Sequence, residues 1–355
     1  MRIVFALCSW GLGHATRSLP LIRRLVKDGH QVDIICSGRP LEFLKKNMSD
    51  SVGYVRFPEQ PDIISSGQSR MLFNLVHKTP ELALSLLDEK KRFKKYQLKN
   101  SPDIVISDSR YGIDSSKVPS FFISHQLRLM SPYLFKPIIF TEFFNKCFMN
   151  YNKLIVPDFD KDSISGDLSH GLVFTERKKV EYIGVLSDFR KVEVKKDIDC
   201  MISISGPEDA RVDFEKKVFE QLDSLDGNVV VSLGKTGSSE PVSRGNAQVY
   251  DYMDKDTREN CMNRAKIVVS RSGYSTIMDL YVLRKKALYI PTPGQTEQEY
   301  LARYLKEKEI SDFVSQDRLD ISEDLAAAKR YKGFTKRYDV KKSVDNFMDV
   351  IFESK

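Results

Sequence analysis

Gly11-Leu12-Gly13-His14-Ala15-Thr16 stands directly behind an apolar run, Arg2–Leu7, and opens a helical pattern. A glycine turn there brings backbone N–H groups and a helix N-terminus toward a ligand, which suits a phosphate or a developing oxyanion. His14 falls in the first helical turn, where an imidazole serves as a general base or, more plainly, as a capping or packing residue. A dinucleotide fingerprint fits poorly. Thr16 takes the place of the third glycine, and Cys36-Ser37-Gly38 ends the second strand where a ribose-binding acid belongs.

The second half carries a series of such turns. Ser205-Gly206-Pro207-Glu208-Asp209-Ala210-Arg211 follows an apolar run and ends in a guanidinium that suits a diphosphate or simply the surface. Gly234-Lys235-Thr236 resembles the end of a phosphate-binding loop, but the preceding glycine, Gly227, lies too far back to wrap a β-phosphate. That removes an ATPase and leaves Gly234 as a turn lining a ligand site. Ser270-Arg271-Ser272-Gly273-Tyr274-Ser275-Thr276-Ile277-Met278-Asp279 is the most informative stretch. Ser272, Gly273, Ser275 and Thr276 make a helix start rich in small donors, suited to a pyrophosphate. Asp279 lies one turn on, where a carboxylate accepts two ribose hydroxyls; a serine-capped helix with a surface aspartate is the plainer reading. Pro291-Thr292-Pro293-Gly294 then fixes a turn, and Glu297 and Gln298 open a helix with adjacent side chains suited to sugar hydroxyls.

These turns need strands to hold them. Apolar, β-branched runs predict strands at Arg2–Leu7, Gln31–Cys36, 104–107, 120–124 and Lys153–Val156, then at 200–205, 228–233, 248–251, 266–270 and 287–290. Helical patterns lie between them, such as 16–27 with Leu19, Ile22, Leu25 and Val26 on one side. Two rounds of alternation predict an α/β chain of two doubly wound, Rossmann-like parallel-sheet domains, and 355 residues suit two domains. The expected boundaries are 1–187, a polar linker at 188–199, a second domain at 200–338 and a closing helix within 339–355. Ligands gather at the carboxyl ends of parallel strands, so two such lobes facing each other would enclose a cleft.

Composition narrows the class. With 41% apolar and 30% charged residues the chain reads as globular, and no apolar run nears the length of about 20 that spans a bilayer. The N-terminus lacks a signal-peptide cleavage site, and five scattered cysteines form no CxxC pair. A cytoplasmic protein is expected. The net charge of +7 permits attraction to anionic lipid or phosphate but is no nucleic-acid signature. Lys90-Lys91-Arg92-Phe93-Lys94-Lys95 and the Phe-, Ile- and Met-rich segment 135–151 suit docking on an anionic membrane, or a solvated helix beside a buried one. Asp158-Phe159-Asp160 could suggest metal-held nucleotide, yet such pairs arise often by chance.

The first glycine turn, the 205–211 turn, the 271–279 helix start and the Glu297-Gln298 pair stand in the order found in MurG-like glycosyltransferases of the GT-B type, which this chain resembles. The resemblance implies transfer of a hexose, of N-acetylhexosamine or glucose type, from a UDP-sugar to an acceptor hydroxyl, with inversion and no obligatory metal or cofactor. It implies that Arg271, Ser272, Gly273 and Thr276 meet the diphosphate, Asp279 the ribose, and Glu297 and Gln298 the hexose. Tyr252 and Met253 match the uracil position, and His14 the histidine of the family's first loop. Departures fall mainly on the acceptor side. The first loop lacks one glycine, Leu301 replaces an asparagine, and His125-Gln126 stands where a glutamate is usual.

Displacement at the anomeric carbon needs a base for the acceptor proton and stabilisation of the leaving diphosphate. His14 is the first candidate and His125 the second; Asp108 is third, or orients one of them. The acceptor expected is a lipid-linked or cell-envelope glycan, with the protein peripheral at the inner membrane face. A UDP-sugar hydrolase or 2-epimerase would use the same pocket, and a non-catalytic nucleotide-sugar-binding subunit would lack the base.

Overall fold

The computed structural model describes residues 1–59, 71–130, 137–138, 142, 149–235 and 237–353. They form two compact units, Met1–Asp188 with Asp339–Lys355, and Phe189–Tyr338. Most of segment 135–151 and Thr236 lie outside the described residues.

The first unit is built on β1 (Arg2–Leu7), β2 (Gln31–Cys36), β3 (Gly53–Arg56), β4 (Ile104–Asp108), β5 (Ser120–Ile123), β6 (Lys153–Val156) and β7 (Val180–Tyr182). They pair in the order β3-β2-β1-β4-β5-β6-β7, parallel throughout. Ile3 to Leu7 are wholly buried because the central strand is covered on both faces. The chain leaves β1 on one side through β2 and β3, then returns to its other side at β4. That reversal opens a crevice at the carboxyl ends of β1 and β4, where Leu7 pairs with Asp108. Helices α1 (Gly13–Lys27), α2 (Gly38–Met48) and α3 (Met71–Asn100) connect these strands, and α1 buries Leu19, Ile22 and Leu25.

The second unit repeats the plan with β8 (Ile198–Ser203), β9 (Val229–Ser232), β10 (Val242–Arg244), β11 (Ala247–Tyr250), β12 (Ala265–Ser270), β13 (Lys286–Tyr289) and β14 (Asp312–Phe313). The order is β10-β11-β9-β8-β12-β13-β14, with β10 antiparallel to β11. Its reversal falls between β8 and β12. Around it lie α4 (Glu208–Gln221), α5 (Lys255–Arg264), α6 (Tyr274–Val282), α7 (Thr296–Glu307) and α8 (Ile321–Ala328). Ile202, Val231, Val269 and Leu288 from the strands pack with Phe214 and Val218 of α4 and Leu325 of α8.

The last helix, α9 (Val340–Glu353), belongs to the first unit. Its Phe347 ring sits 6.5 Å from Phe5, Ser343 Oγ donates to the Val185 carbonyl at 2.6 Å, and Asp345 pairs with Arg24 at 2.6 Å.

The ten expected strands are present within one or two residues at each end. Of the six not anticipated, β3, β7, β10 and β14 are the edges of the two seven-stranded sheets, and the two-residue strands Leu129–Met130 and Pro137–Ile138 pair as a separate antiparallel ladder. The edge strands are short and partly exposed, so they carry no continuous apolar run. The polar stretch after Asp188 is no free linker. It lies along α5, where the Asn263 amide bonds to Val192 N and Arg190 O and the Glu259 carboxylate accepts from Arg190 N.

Candidate functional site

The carboxyl end of β4 supplies Asp108, wholly buried, and the first turns of α1 lay three side chains over it. His14 Nδ1 stands 2.9 Å from Asp108 Oδ1. Arg17, one turn further and also buried, donates to both carboxylate oxygens, and Ser18 Oγ donates to Oδ2 at 2.7 Å. Burial alone would raise the Asp108 carboxyl. The Arg17 charge and the His14 contact outweigh it and hold the group far below the usual carboxylate range.

His14 Nδ1 also lies 3.0 Å from Arg17 Nη2, which can only donate. Arg17 Nη2 directs its two hydrogens to Asp108 Oδ1 and the Ser109 hydroxyl, and the Asp108 carboxylate can only accept, so the ring proton belongs on Nδ1 and the lone pair on Nε2. Burial, and after it the Arg17 charge, lowers the His14 pKa, so the ring is neutral at physiological pH. Its side chain keeps 16% exposure. A neutral imidazole backed by a buried carboxylate is the orienting arrangement of a general base. At the end of β5, His125 Nδ1 faces Arg17 Nη1 at 2.9 Å.

In the second unit the equivalent crevice holds the start of α6. Gly273 is the N-cap, and a Cβ there would meet no atom of the described residues within 4 Å. The first-turn N–H groups of α6 have no acceptor within the helix and carry the positive end of its dipole at that position. Gly234 ends the neighbouring turn with φ +62°, and a Cβ on it would stand 2.6 Å from the Ile204 carbonyl. Only glycine lets those two loops approach so closely.

Comparison with known proteins bears on this arrangement. Residues 211–337 match the glycosyltransferase family 28 C-terminal domain, and residues 1–111 match glycosyl transferase family 1. A glycosyltransferase of Methanosarcina acetivorans is 26% identical over 327 residues, covering 86% of this chain and 82% of its own. The UDP-N-acetylglucosamine–N-acetylmuramyl-(pentapeptide) pyrophosphoryl-undecaprenol N-acetylglucosamine transferase of Clostridium botulinum is 24% identical, covering 87% of each chain. The chain is a glycosyltransferase of the GT-B fold, similar to the MurG-like transferases. Solved structures share its fold. The MurG of Acinetobacter baumannii superimposes with TM-score 0.60 at 11% identity over 99% of this chain and 100% of its own. The spinosyn rhamnosyltransferase SpnG with thymidine diphosphate gives 0.65 at 12% identity, over 99% and 96%.

Several expected contacts of this transferase fall elsewhere. Arg271 is buried, and all five of its N–H groups point at protein. They reach the carbonyls of Ser205, Ala210, Ile290 and Pro291 and the Gln316 amide oxygen. Burial lowers its pKa to about 10, and it faces Phe214 at 4.5 Å. It therefore ties the 205–210 and 290–291 loops together and offers no donor to a diphosphate. The Ser272 hydroxyl is likewise turned inward, donating to the Gln298 carbonyl at 2.8 Å. The Gln298 side chain accepts from Thr292 N at 2.9 Å and bonds to the Gln295 amide, so it shapes the turn that also holds Gly294.

Other expected site residues lie nearer the surface. Gly11 and Gly13 flank the start of α1, and Ser205 and Gly206 are exposed after β8. Arg211 leans back on the Leu233 carbonyl at 3.5 Å. Thr276, Ser275, Asp279 and Glu297 are half-exposed on α6 and α7. Tyr252 is exposed and Met253 buried just beyond β11. Asp158 accepts from Phe159, Ile164 and Ser165 N–H groups and from the hydroxyls of Ser163 and Ser165, which makes it a loop organiser. Arg17 was not anticipated, since an arginine on an amphipathic helix reads as surface. Thr292 was also missed; its buried hydroxyl has no partner among the described residues and lies beside Gly206.

Proposed function

We propose that this transferase moves a hexose, of N-acetylhexosamine or glucose type, from a UDP-sugar to an acceptor hydroxyl with inversion. The observation that carries the reading is the His14–Asp108 contact. His14 Nε2 takes the proton of the acceptor hydroxyl. The freed oxygen forms its bond to the anomeric carbon on the face opposite the diphosphate, the carbon–oxygen bond to UDP breaks, and UDP leaves with the electron pair.

The second unit supplies the donor's binding groups. The start of α6, with Gly273, Ser275 and Thr276, meets the diphosphate through backbone N–H groups and hydroxyls. The unpaired Thr292 hydroxyl adds a donor next to Gly206. Asp279 accepts from the ribose, Tyr252 and Met253 flank the uracil, and Glu297 meets the hexose. Helix N-termini take the leaving-group charge, so no metal or other cofactor is required, and chelator leaves the rate unchanged.

The acceptor is a lipid-linked or cell-envelope glycan, with the enzyme peripheral at the cytoplasmic face of a membrane and no nucleic-acid partner. On α3, Leu84, Leu87, Lys91, Lys94 and Leu98 recur at helical spacing, and the three leucines are 64–68% exposed. Apolar ends with a cationic middle match an anionic lipid surface. The deciding assay is UDP release with defined UDP-sugars, with and without lipid extract. Acceptor-dependent release carries the proposal. Free sugar released without acceptor makes the protein a hydrolase, and binding without turnover makes it a carrier subunit.

A further inference from the structure

We infer that Arg17 divides the work of the two histidines, fixing His125 as a hydrogen-bond donor through Nε2 and leaving His14 Nε2 as the single proton acceptor. The inference rests on the transferase reading and adds to it a positioning residue and a second, distinct histidine role.

The geometry is that of a five-donor fork that cannot accept. Arg17 Nη1 stands 2.9 Å from His125 Nδ1, both groups buried. Because the guanidinium can only donate, Nδ1 must present its lone pair, and the ring proton of His125 sits on Nε2. A proton on Nδ1 would set donor against donor. Arg17 also donates through Nε at 2.9 Å to Asp108 Oδ2 and through Nη2 to Oδ1. The carboxylate so held demands the opposite tautomer of His14, with Nδ1 protonated. One side chain thus imposes opposite tautomers on two rings.

The charged and titratable groups acting on His14 are Arg17 on its own helix, Asp108 at the end of β4 and His125 after β5. Only Asp108 favours a proton on His14, and Arg17 neutralises it. A base at Nε2 of His14 therefore stays unprotonated into mild acid. The Nε2–H of His125 suits an oxygen that must be oriented or that gains negative charge.

Ring-nitrogen NMR of the five histidines, assigned with His→Gln variants, reads the tautomers without any turnover. The expected result at pH 7.5 is an Nε2–H signal for His125 and an Nδ1–H signal for His14. Arg17→Gln, and Arg17→Lys as the charge-keeping control, should abolish the fixed tautomer of His125. Arg17→Gln should also raise the His14 titration by about a unit or more, a shift of about 1.4 kcal/mol per unit. The acid limb of kcat/KM should move with it. His125→Gln, whose amide can stand in for Nε2–H, should retain more activity than His125→Asn. An Nδ1–H tautomer at His125 in the intact protein, or unchanged titrations in folded Arg17 variants, would overturn the inference. Loss of transfer with every UDP-sugar, with the tautomers as stated, would instead remove the transferase reading and leave the tautomer assignment standing.

Discussion

Asp108 and His14 meet at 2.9 Å although 94 residues separate them in the chain. They meet because β1 and β4 are neighbours at the sheet's reversal, and α1 begins just above the end of β4. Asp108→Asn would keep the shape but offer an amide to Nδ1, freeing the wrong tautomer. We expect kcat to fall by about 10²–10⁴-fold in His14→Gln and in Asp108→Asn, with UDP affinity unchanged. The double variant should lose little more than either single one, since the pair acts as a unit. Steady-state kinetics and UDP titration check this.

Gly273→Val tests the donor site. A Cβ at this position meets no atom of the described residues within 4 Å and φ is −67°, so the backbone tolerates it. A poorer N-cap costs about 1 kcal/mol. The methyl groups would occupy the space before the α6 N–H groups, and UDP affinity should drop at least about tenfold, or 1.4 kcal/mol. Calorimetric titration against a thermal melt separates the two effects. A folded variant with intact UDP affinity would remove α6 from the site.

Arg271→Lys tests the buried role of this guanidinium. A lysine has three donors on one nitrogen and cannot reach four separate carbonyls and the Gln316 amide. The loss should appear as instability, on the order of 3 kcal/mol in urea unfolding, because buried acceptors are left unpaired. A stable Arg271→Lys with selectively weakened diphosphate binding would restore the original expectation for this residue.

Lys285 sets a pH dependence in the second unit. Its buried amine donates to the Asn263 and Ala265 carbonyls, and burial, with Lys196 nearby, lowers its pKa to about 6. Between about pH 6 and about 10 the unfolded chain binds a proton that the folded chain has released, so stability rises with pH across that window. Lys285→Met should flatten the rise. Urea midpoints at pH 6.5, 7.5 and 8.5 measure it.

The α3 surface predicts association with vesicles containing anionic lipid and its loss at raised salt. Changing Lys91, Lys94 and Lys95 to Glu should abolish the association while leaving helix content and UDP affinity intact. Vesicle flotation reads the outcome, and equal binding to neutral vesicles would count against an electrostatic surface.

Much of this molecule was legible beforehand, for identifiable reasons. Strands buried on both faces must be largely apolar, as in the run Ile104-Val105-Ile106 that leads to Asp108, and that pattern survives in one sequence. The edge strand Val242–Arg244 is exposed at every residue and therefore leaves no such trace. His14 and Asp108 could be nominated because they sit where strands end. Arg17 could not, because burial of a cation depends on partners distant in sequence. Arg271 stood out as a cation beside a helix start, but the direction of its five donors follows from carbonyls on three other segments.

The return of α9 to the first unit has a consequence for how the chain is made. Phe347, wholly buried, covers Phe5, yet the whole second unit is translated between them. The first sheet must therefore wait on the ribosome with its α9-facing side bare, while Phe189–Tyr338, continuous in sequence, is free to fold as it emerges. Synthesis completes the unit that began first only after the one that began second.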